Sequence, residues 1–96
     1  MDNMFEGCSS LTSIDLSNIN TQLVERMAFM FSSCTSLTSL DLSNFDTSLV
    51  TTMDSMFSHC SSLSSLDLSK FVTTLLNSFD TIFLDCTNLE YVIFYQ

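Results

Sequence analysis

The strongest constraint on the fold is a period of 26 residues, which four cysteines mark. Cys8, Cys34, Cys60 and Cys86 are spaced evenly, and aligning the chain on them divides its 96 residues into units 1–26, 27–52, 53–78 and a truncated 79–96. A fixed period of about 20 to 50 residues is typical of arrays in which each unit buries its apolar face against its neighbours. The sequence therefore predicts one domain built of four repeats.

The first three units begin with the pattern MxxMFxxC and the fourth with the related FxxIFxxC, which predicts a short helix. In the third unit the apolar residues are Met53, Met56, Phe57 and Cys60. Their spacing of i, i+3, i+4 and i+7 is that of one face of a helix. An acidic residue occupies the second position in three of the four units, at Asp2, Asp54 and Asp80, where it would favour the helix dipole.

The second half of each unit predicts a strand followed by a turn. Leu66 and Leu68 alternate with Ser65, Asp67 and Ser69. This period of two indicates a strand with one buried face. Stacking four such units predicts an α/β repeat solenoid of the leucine-rich-repeat type, with a parallel β-sheet on one face and short helices on the other.

Two segments also carry a specific family resemblance. MFSSCTSLTSLDLSNFDTS and MFSHCSSLSSLDLSKF resemble the BspA-like leucine-rich repeats of bacterial and protist surface proteins and lipoproteins. The resemblance extends over the whole chain. It implies a non-enzymatic module at the cell surface or outside the cell, involved in adhesion or protein binding.

Charge narrows the classes of partner. The formal net charge is −9, and the only Lys and Arg residues are Arg26 and Lys70. Nucleic-acid binding depends on clustered cations, so a nucleic-acid partner is not expected. A cationic protein or another surface ligand fits this charge better. No stretch is long and apolar enough for a membrane span, and the 96 residues contain no recognisable signal peptide.

The outward face of the predicted strands is the best candidate for binding. Three equivalent Ser-Asp-Ser triplets would lie in register along it, and we call them the Ser-Asp-Ser face. Its members are Ser13, Asp15, Ser17, Ser39, Asp41, Ser43, Ser65, Asp67 and Ser69. Three carboxylates in a row repel one another, which a Ca²⁺ ion would relieve. Lateral hydrogen bonding on a solvated face is the simpler explanation, because the Asp- and Gly-rich calcium loop is missing. We therefore predict no metal site.

The adjacent pair His59-Cys60 suggests nucleophilic chemistry, but the repeat argues against it. Cysteine recurs at an inward position, where it suits a small buried hydrophobe, so free buried thiols are favoured over disulfides. His59 is equivalent to Gly7, Ser33 and Asp85, a series that favours a positive φ angle. A third residue that would orient the pair is not evident. We predict no catalytic residues and no cofactor.

The final segment, EYVIFYQ, predicts a strand that is apolar on both faces. Val92 and Phe94 would point inward, whereas Tyr91, Ile93 and Tyr95 would point outward. An exposed edge strand with little charge is a template for a second chain. The alternative function is therefore a structural, self-assembling element that forms a homodimer or polymer through this C-terminal edge.

Overall fold

Neighbouring units lie side by side and are joined by backbone hydrogen bonds between residues about one unit apart. The computed structural model describes residues 1–94. In the first unit, the amides of Asn3, Phe5 and Gly7 donate to carbonyls 25 residues further on, over 2.8–3.0 Å. The second and third units repeat these contacts; Phe31, for example, donates to the carbonyl of Met56 over 2.9 Å. The 26-residue period is therefore also the period of the hydrogen bonding.

The predicted helices are wrong: residues 1–94 contain no helix. The MxxMFxxC segments are instead pairs of successive turns. In the third unit, Met56 N donates to Met53 O over 3.1 Å and Cys60 N donates to Phe57 O over 3.2 Å. The third residue of each four-residue turn has a positive φ, 54° at Ser55 and 60° at His59. A right-handed helix cannot include such residues, and its i to i−4 bonds are replaced by bonds to the next unit.

The predicted sheet is also much smaller than expected. Only β1 (Ser65–Leu68) and β2 (Tyr91–Phe94) are strands within the described residues. They are parallel, and Leu66 pairs with Val92 and Leu68 with Phe94. Isolated parallel bridges join Arg26 to Thr52 and Thr52 to Ser78. The α/β solenoid with a helical face and a continuous parallel sheet is therefore not what this chain forms.

The shape is that of a small compact globule. Its extents are 30 × 25 × 19 Å and its radius of gyration is 12.1 Å. A compact domain of this length is expected to have a radius of gyration of about 12.5 Å. The chain is therefore as compact as an ordinary globular domain.

The core is a set of side-chain rows that run from unit to unit. Phe5, Phe31, Phe57 and Phe83 form one row, with centroid separations of 5.5, 5.8 and 6.0 Å and nearly parallel rings. Phe31 and Phe57 are fully buried, whereas Phe5 and Phe83 at the two ends are half-buried. Offset aromatic pairs at these distances add to the stabilisation that comes from burial. The two middle units therefore contain most of the core.

The acidic residue at position 2, which was predicted to favour a helix dipole, instead links neighbouring units in the first and third units. Asp54 Oδ1 accepts hydrogen bonds from Asp80 N at 2.8 Å and from Ser78 Oγ at 2.6 Å. Asp2 Oδ1 accepts from Ala28 N at 2.9 Å in the same way. These carboxylates satisfy amides that the turn geometry leaves without a backbone partner.

Candidate interaction surfaces

The Ser-Asp-Ser face lies on the surface of the first three units. The three aspartates are exposed, as are all the serines except Ser65 and Ser69, which are half-buried. The leucines that alternate with them in the third unit, Leu66 and Leu68, are each 2% exposed. The predicted alternation of inward leucine and outward aspartate is therefore confirmed for this unit. Its third triplet lies on β1 and the turn that follows.

Each aspartate of this face accepts hydrogen bonds from the serine two residues further on. Asp15 Oδ1 accepts from the amide of Ser17 at 3.0 Å and from its hydroxyl at 2.7 Å. Asp41 Oδ1 repeats this with Ser43, at 3.0 and 2.6 Å. Side chains of Asp commonly close turns in this way. The serine that precedes each aspartate makes no such contact, so the two serines of a triplet differ in role.

These hydrogen bonds keep the carboxylates ionised. Bonds from Ser43, first from its hydroxyl and then from its amide, lower the pKa of Asp41 below its usual value. The pKa of Asp15 is lowered by the same donors on Ser17. Hydrogen bonds from Ser69 lower the pKa of Asp67; the charge of Lys70 lowers it slightly further, whereas burial and the charge of Asp41 raise it slightly. Hydrogen bonds to the charged form of an acid always act in this direction.

Two shallow hollows lie between adjacent triplets. The larger, about 200 Å³, lies between Asp15 and Asp41 and also contacts Asn44. The smaller, about 90 Å³, lies between Asp41 and Asp67 and is bordered by Lys70. Asn44 Nδ2 donates to Ile19 O at 2.9 Å and to Leu16 O at 3.1 Å, which fixes the wall of the larger hollow. Sequence reasoning missed Asn44 and Lys70, because they follow the triplets instead of repeating within them.

The described residues contain no group of three or more His, Cys, Asp or Glu side chains that could hold a metal ion. The in-line aspartates are thus bound by their own serines in a way that needs no cation. The hydrogen bonds run within each unit, from Ser17 to Asp15 and from Ser43 to Asp41, and not laterally between units as the sequence suggested.

The His59-Cys60 pair is not arranged as a nucleophile and its base. Cys60 is fully buried, and its Sγ donates to Phe31 O at 3.2 Å. Burial, with smaller effects of Cys34 and Cys86, raises the pKa of this thiol to about 12. His59 is exposed and its Nδ1 lies 3.3 Å from Asp85 Oδ2, the residue at the same position of the next unit. A buried neutral thiol is a poor nucleophile.

All four cysteines are free, as predicted. Cys34 and Cys60 are buried, whereas Cys8 and Cys86 are half-buried at the two ends. Cys34 Sγ donates to Phe5 O at 3.1 Å and Cys86 Sγ to Phe57 O at 3.0 Å, so one contact recurs along the row. The positive φ predicted at His59 and its equivalents is also confirmed, at 57–75°.

The C-terminal strand β2 is an exposed edge. Tyr91 is 59% and Ile93 46% exposed, which confirms their predicted outward orientation, and Val92 packs against the core as predicted. Phe94 was predicted to point inward, but it is 59% exposed because no further unit covers it within residues 1–94. Tyr95, the third outward residue of the prediction, lies outside the described residues.

An apolar groove of about 450 Å³, which we call the end groove, lies between the third and fourth units. Phe71, Thr73 and Leu76 line it from the third unit, and Phe79 and Phe94 line it from the fourth. Sequence reasoning did not detect it, because it depends on how the third and fourth units pack and not on an unusual motif. It shares no lining residue with the two hollows of the Ser-Asp-Ser face.

Comparison with known proteins provides a family but no function. No helix in the described part of the chain is long and apolar enough to cross a membrane. No curated protein and no solved structure matches the sequence. The matching family model, described as a Mycoplasma protein of unknown function, has a different name from the BspA-like repeats that the sequence resembles. Because this model matches residues 1–94, the chain belongs to the DUF285 family.

Proposed function

We propose that this chain is a non-enzymatic interaction module that contacts a cationic protein partner through the Ser-Asp-Ser face. The observation that carries the proposal is the row of three exposed aspartates whose pKa values are lowered by their own serines. Such carboxylates are already oriented and ionised before a partner arrives, so binding costs little side-chain entropy. The hollows between them provide places for side chains of the partner.

The overall charge supports the same class of partner. A net charge of −9 attracts cationic partners over a distance and repels polyanions. The buried state of Cys60 supports a function without nucleophilic catalysis. The resemblance to BspA-like surface proteins supports a role in adhesion or protein binding at the cell surface or outside the cell.

The test is a charge-neutralising triple variant, Asp15→Asn, Asp41→Asn and Asp67→Asn. An oligolysine peptide serves as the cationic probe, and its affinity is measured by titration calorimetry at low salt. We expect at least a tenfold loss of affinity, because the variant removes the charges that the probe faces. The variant is expected to stay folded, because Asn can accept the same hydrogen bonds from Ser17 and Ser43.

A matched control removes three acidic charges elsewhere. The variant Glu6→Gln, Glu25→Gln and Asp85→Asn changes the net charge by the same amount at exposed positions outside the face. It is expected to weaken oligolysine binding much less than the first variant. Equal losses in the two variants would mean that net charge, not the face, determines binding, and would refute the proposal.

Self-association through β2 is the second candidate. One observation favours it specifically: β2 pairs with β1 on one side, and no strand within residues 1–94 pairs with its other side. Exposed edges of this kind recruit further strands. Tyr91 and Ile93 add exposed apolar surface on the same strand.

Light scattering over a range of concentrations tests this candidate. The double variant Tyr91→Lys and Ile93→Lys places charges on the edge and is expected to give a monomer where the parent chain gives a dimer or larger species. A parent chain that stays monomeric at high concentration would exclude self-association through this edge.

A further inference from the structure

The two hollows of the Ser-Asp-Ser face are built from equivalent residues of successive units. Each is lined by positions 14–17 of one unit and by positions 15, 17 and 18 of the next. Both therefore contain two aspartates, Asp15 with Asp41 in the larger hollow and Asp41 with Asp67 in the smaller one. The only difference in charge is at position 18, which is Asn44 in the larger hollow and Lys70 in the smaller one. The repeat thus provides the same hollow twice, once without a cation and once with one.

The side-chain amide of Asn44 is fully engaged with the first unit. Its Nδ2 donates to three backbone carbonyls over 2.9–3.3 Å, those of Leu16, Ser17 and Ile19. An amide nitrogen carries only two hydrogens, so no donor remains for a carboxylate. The two carboxylates of the larger hollow therefore gain no compensation from position 18.

Each carboxylate of the larger hollow keeps one oxygen for a partner. The bonds from the following serines all go to Oδ1, both at Asp15 and at Asp41. Within residues 1–94, Oδ2 of these two aspartates accepts no hydrogen bond and forms no ion pair. An ammonium group has three donors and makes strong bonds to ionised oxygens. The larger hollow therefore suits the ammonium of one lysine side chain.

Lys70 already supplies such an ammonium to the smaller hollow. Its side chain is exposed and forms no ion pair or hydrogen bond among the described residues. Hydrogen bonds from Ser69 lower the pKa of Asp67 most, and the charge of Lys70 lowers it further. The smaller hollow also has a volume of about 90 Å³, against about 200 Å³ for the larger one. Lys70 therefore opposes a second cation both by its charge and by the room it takes.

We propose that Lys70 is a specificity-determining residue that directs a lysine side chain of the partner into the hollow between Asp15 and Asp41. Lys70 acts on the Ser-Asp-Ser face itself, so this proposal rests on the proposed function. The ligand is the ammonium of a single lysine. A second lysine of the partner gains little from the smaller hollow, because the chain's own ammonium is already beside it.

Single charge-neutralising variants locate the favoured hollow. Asp15→Asn changes the larger hollow alone, and Asp67→Asn changes the smaller one alone. The probe is a trilysine peptide with blocked ends, and nuclear magnetic resonance titration at low salt measures its dissociation constant. We expect Asp15→Asn to weaken binding about fivefold and Asp67→Asn by less than about twofold, because Lys70 already compensates Asp67. Both variants have the same net charge, so a difference between them reports position alone.

Replacing Lys70 by the residue found at position 44 tests its role directly. Lys70→Asn gives the smaller hollow the same residue at position 18 as the larger one. This change alone should strengthen trilysine binding about threefold, because a repelling charge is removed. In the Lys70→Asn background, Asp15→Asn and Asp67→Asn should weaken binding to the same extent, since the two hollows are then alike.

Arg26→Gln is the matched control for Lys70→Asn. It removes one positive charge as well, but Arg26 lines neither hollow and pairs with Asp2 at an exposed position. The loss of such an exposed pair costs little stability, so the variant is expected to stay folded. It should strengthen trilysine binding clearly less than Lys70→Asn does.

The results separate this proposal from the proposed function. If the triple variant of the face loses trilysine binding while Asp15→Asn and Asp67→Asn weaken it equally, the face binds cations but Lys70 does not direct them. Equal gains from Lys70→Asn and Arg26→Gln would also overturn the role of Lys70, because net charge alone would explain them. If the triple variant binds trilysine as tightly as the parent chain, the face is not the site and both proposals are wrong.

Discussion

At position 33, the glycine variant should have a higher free energy of unfolding than the alanine variant, because the turn requires a positive φ. In a helix the order of the two variants would be reversed. Ser33 has a φ of 62° and its amide donates to Ser58 O at 2.8 Å. Neither substitution removes that backbone bond, and no hydrogen bond involves the Ser33 side chain in the described structure. The comparison of Ser33→Gly with Ser33→Ala therefore isolates the backbone conformation.

The expected difference follows from two opposing contributions. An alanine held at this φ costs about 1–2 kcal/mol, because its Cβ crowds the carbonyl oxygen. Glycine lowers the free energy of unfolding by about 0.4–1 kcal/mol relative to alanine, because it gives the unfolded chain more conformational freedom. The glycine variant should therefore be more stable by about 0.8 kcal/mol at the midpoints of these ranges, and by about 0–1.6 kcal/mol at their limits. In a helix interior, alanine would be the more stable by about 1 kcal/mol.

Urea denaturation followed by far-ultraviolet circular dichroism measures the difference, provided that both variants show the same dependence on urea. Thr35 is the matched control, because it is exposed and does not have a positive φ. At Thr35 alanine should be the more stable. If the alanine variant at position 33 is the more stable, the turn geometry is refuted and the helix predicted from the sequence is favoured instead.

Three further predictions concern the core, the thiols and the acidic face. Phe57→Ala should lower the free energy of unfolding by about 3–5 kcal/mol, since the ring is fully buried between two others, and Phe83→Ala should cost clearly less because that ring is half-buried. Cys60 should resist iodoacetamide at pH 8 in the native protein, because its pKa is raised to about 12 by burial. Ser43→Ala should raise the pKa of Asp41 toward its usual value, as followed by carboxyl nuclear magnetic resonance, because a hydroxyl donor is lost.

Each of these has a contradicting outcome. If Phe57→Ala and Phe83→Ala lower the free energy of unfolding equally, the core is not centred on the two middle units. Alkylation of Cys60 in the native protein as fast as in urea would mean that the thiol is accessible. For Asp41, the lowered pKa in the folded state stabilises the protein above the ordinary pKa of about 3.9, and this contribution is lost as the pH falls through the folded value. If Ser43→Ala leaves the pKa of Asp41 unchanged, the hydroxyl of Ser43 is not the cause of the lowered pKa.

The repeat, its length and its inward residues could be read from the sequence because a stack places the same side chain in the same surroundings each time. Leu66, Leu68 and Phe57 are buried as the alternation and spacing indicated. The free thiols and the positive φ at His59 were also predictable, since the tolerance of that position for Gly, Ser, His and Asp is a local backbone signal.

The helix was mispredicted because two consecutive four-residue turns give the same apolar spacing as a helix. Met53, Met56, Phe57 and Cys60 face the core in either case. The difference lies at position 3, where Asn3, Phe29, Ser55 and Thr81 all have positive φ without a common residue type. At Asn3, Phe29 and Ser55 the amide of this residue donates to a carbonyl of the next unit, a contact that the sequence of a single unit does not reveal. The end groove depends on how the third and fourth units pack, which the sequence pattern likewise does not reveal.

The central claim is that the MxxMFxxC segments of the first three units donate backbone amides to the next unit. Scalar couplings transmitted through hydrogen bonds test it directly, in isotope-labelled protein. The structure predicts a coupling between the amide nitrogen of Phe31 and the carbonyl carbon of Met56, whose N and O atoms lie 2.9 Å apart. A coupling from Phe31 to the carbonyl of Met27 instead, as in a helix, would contradict the account.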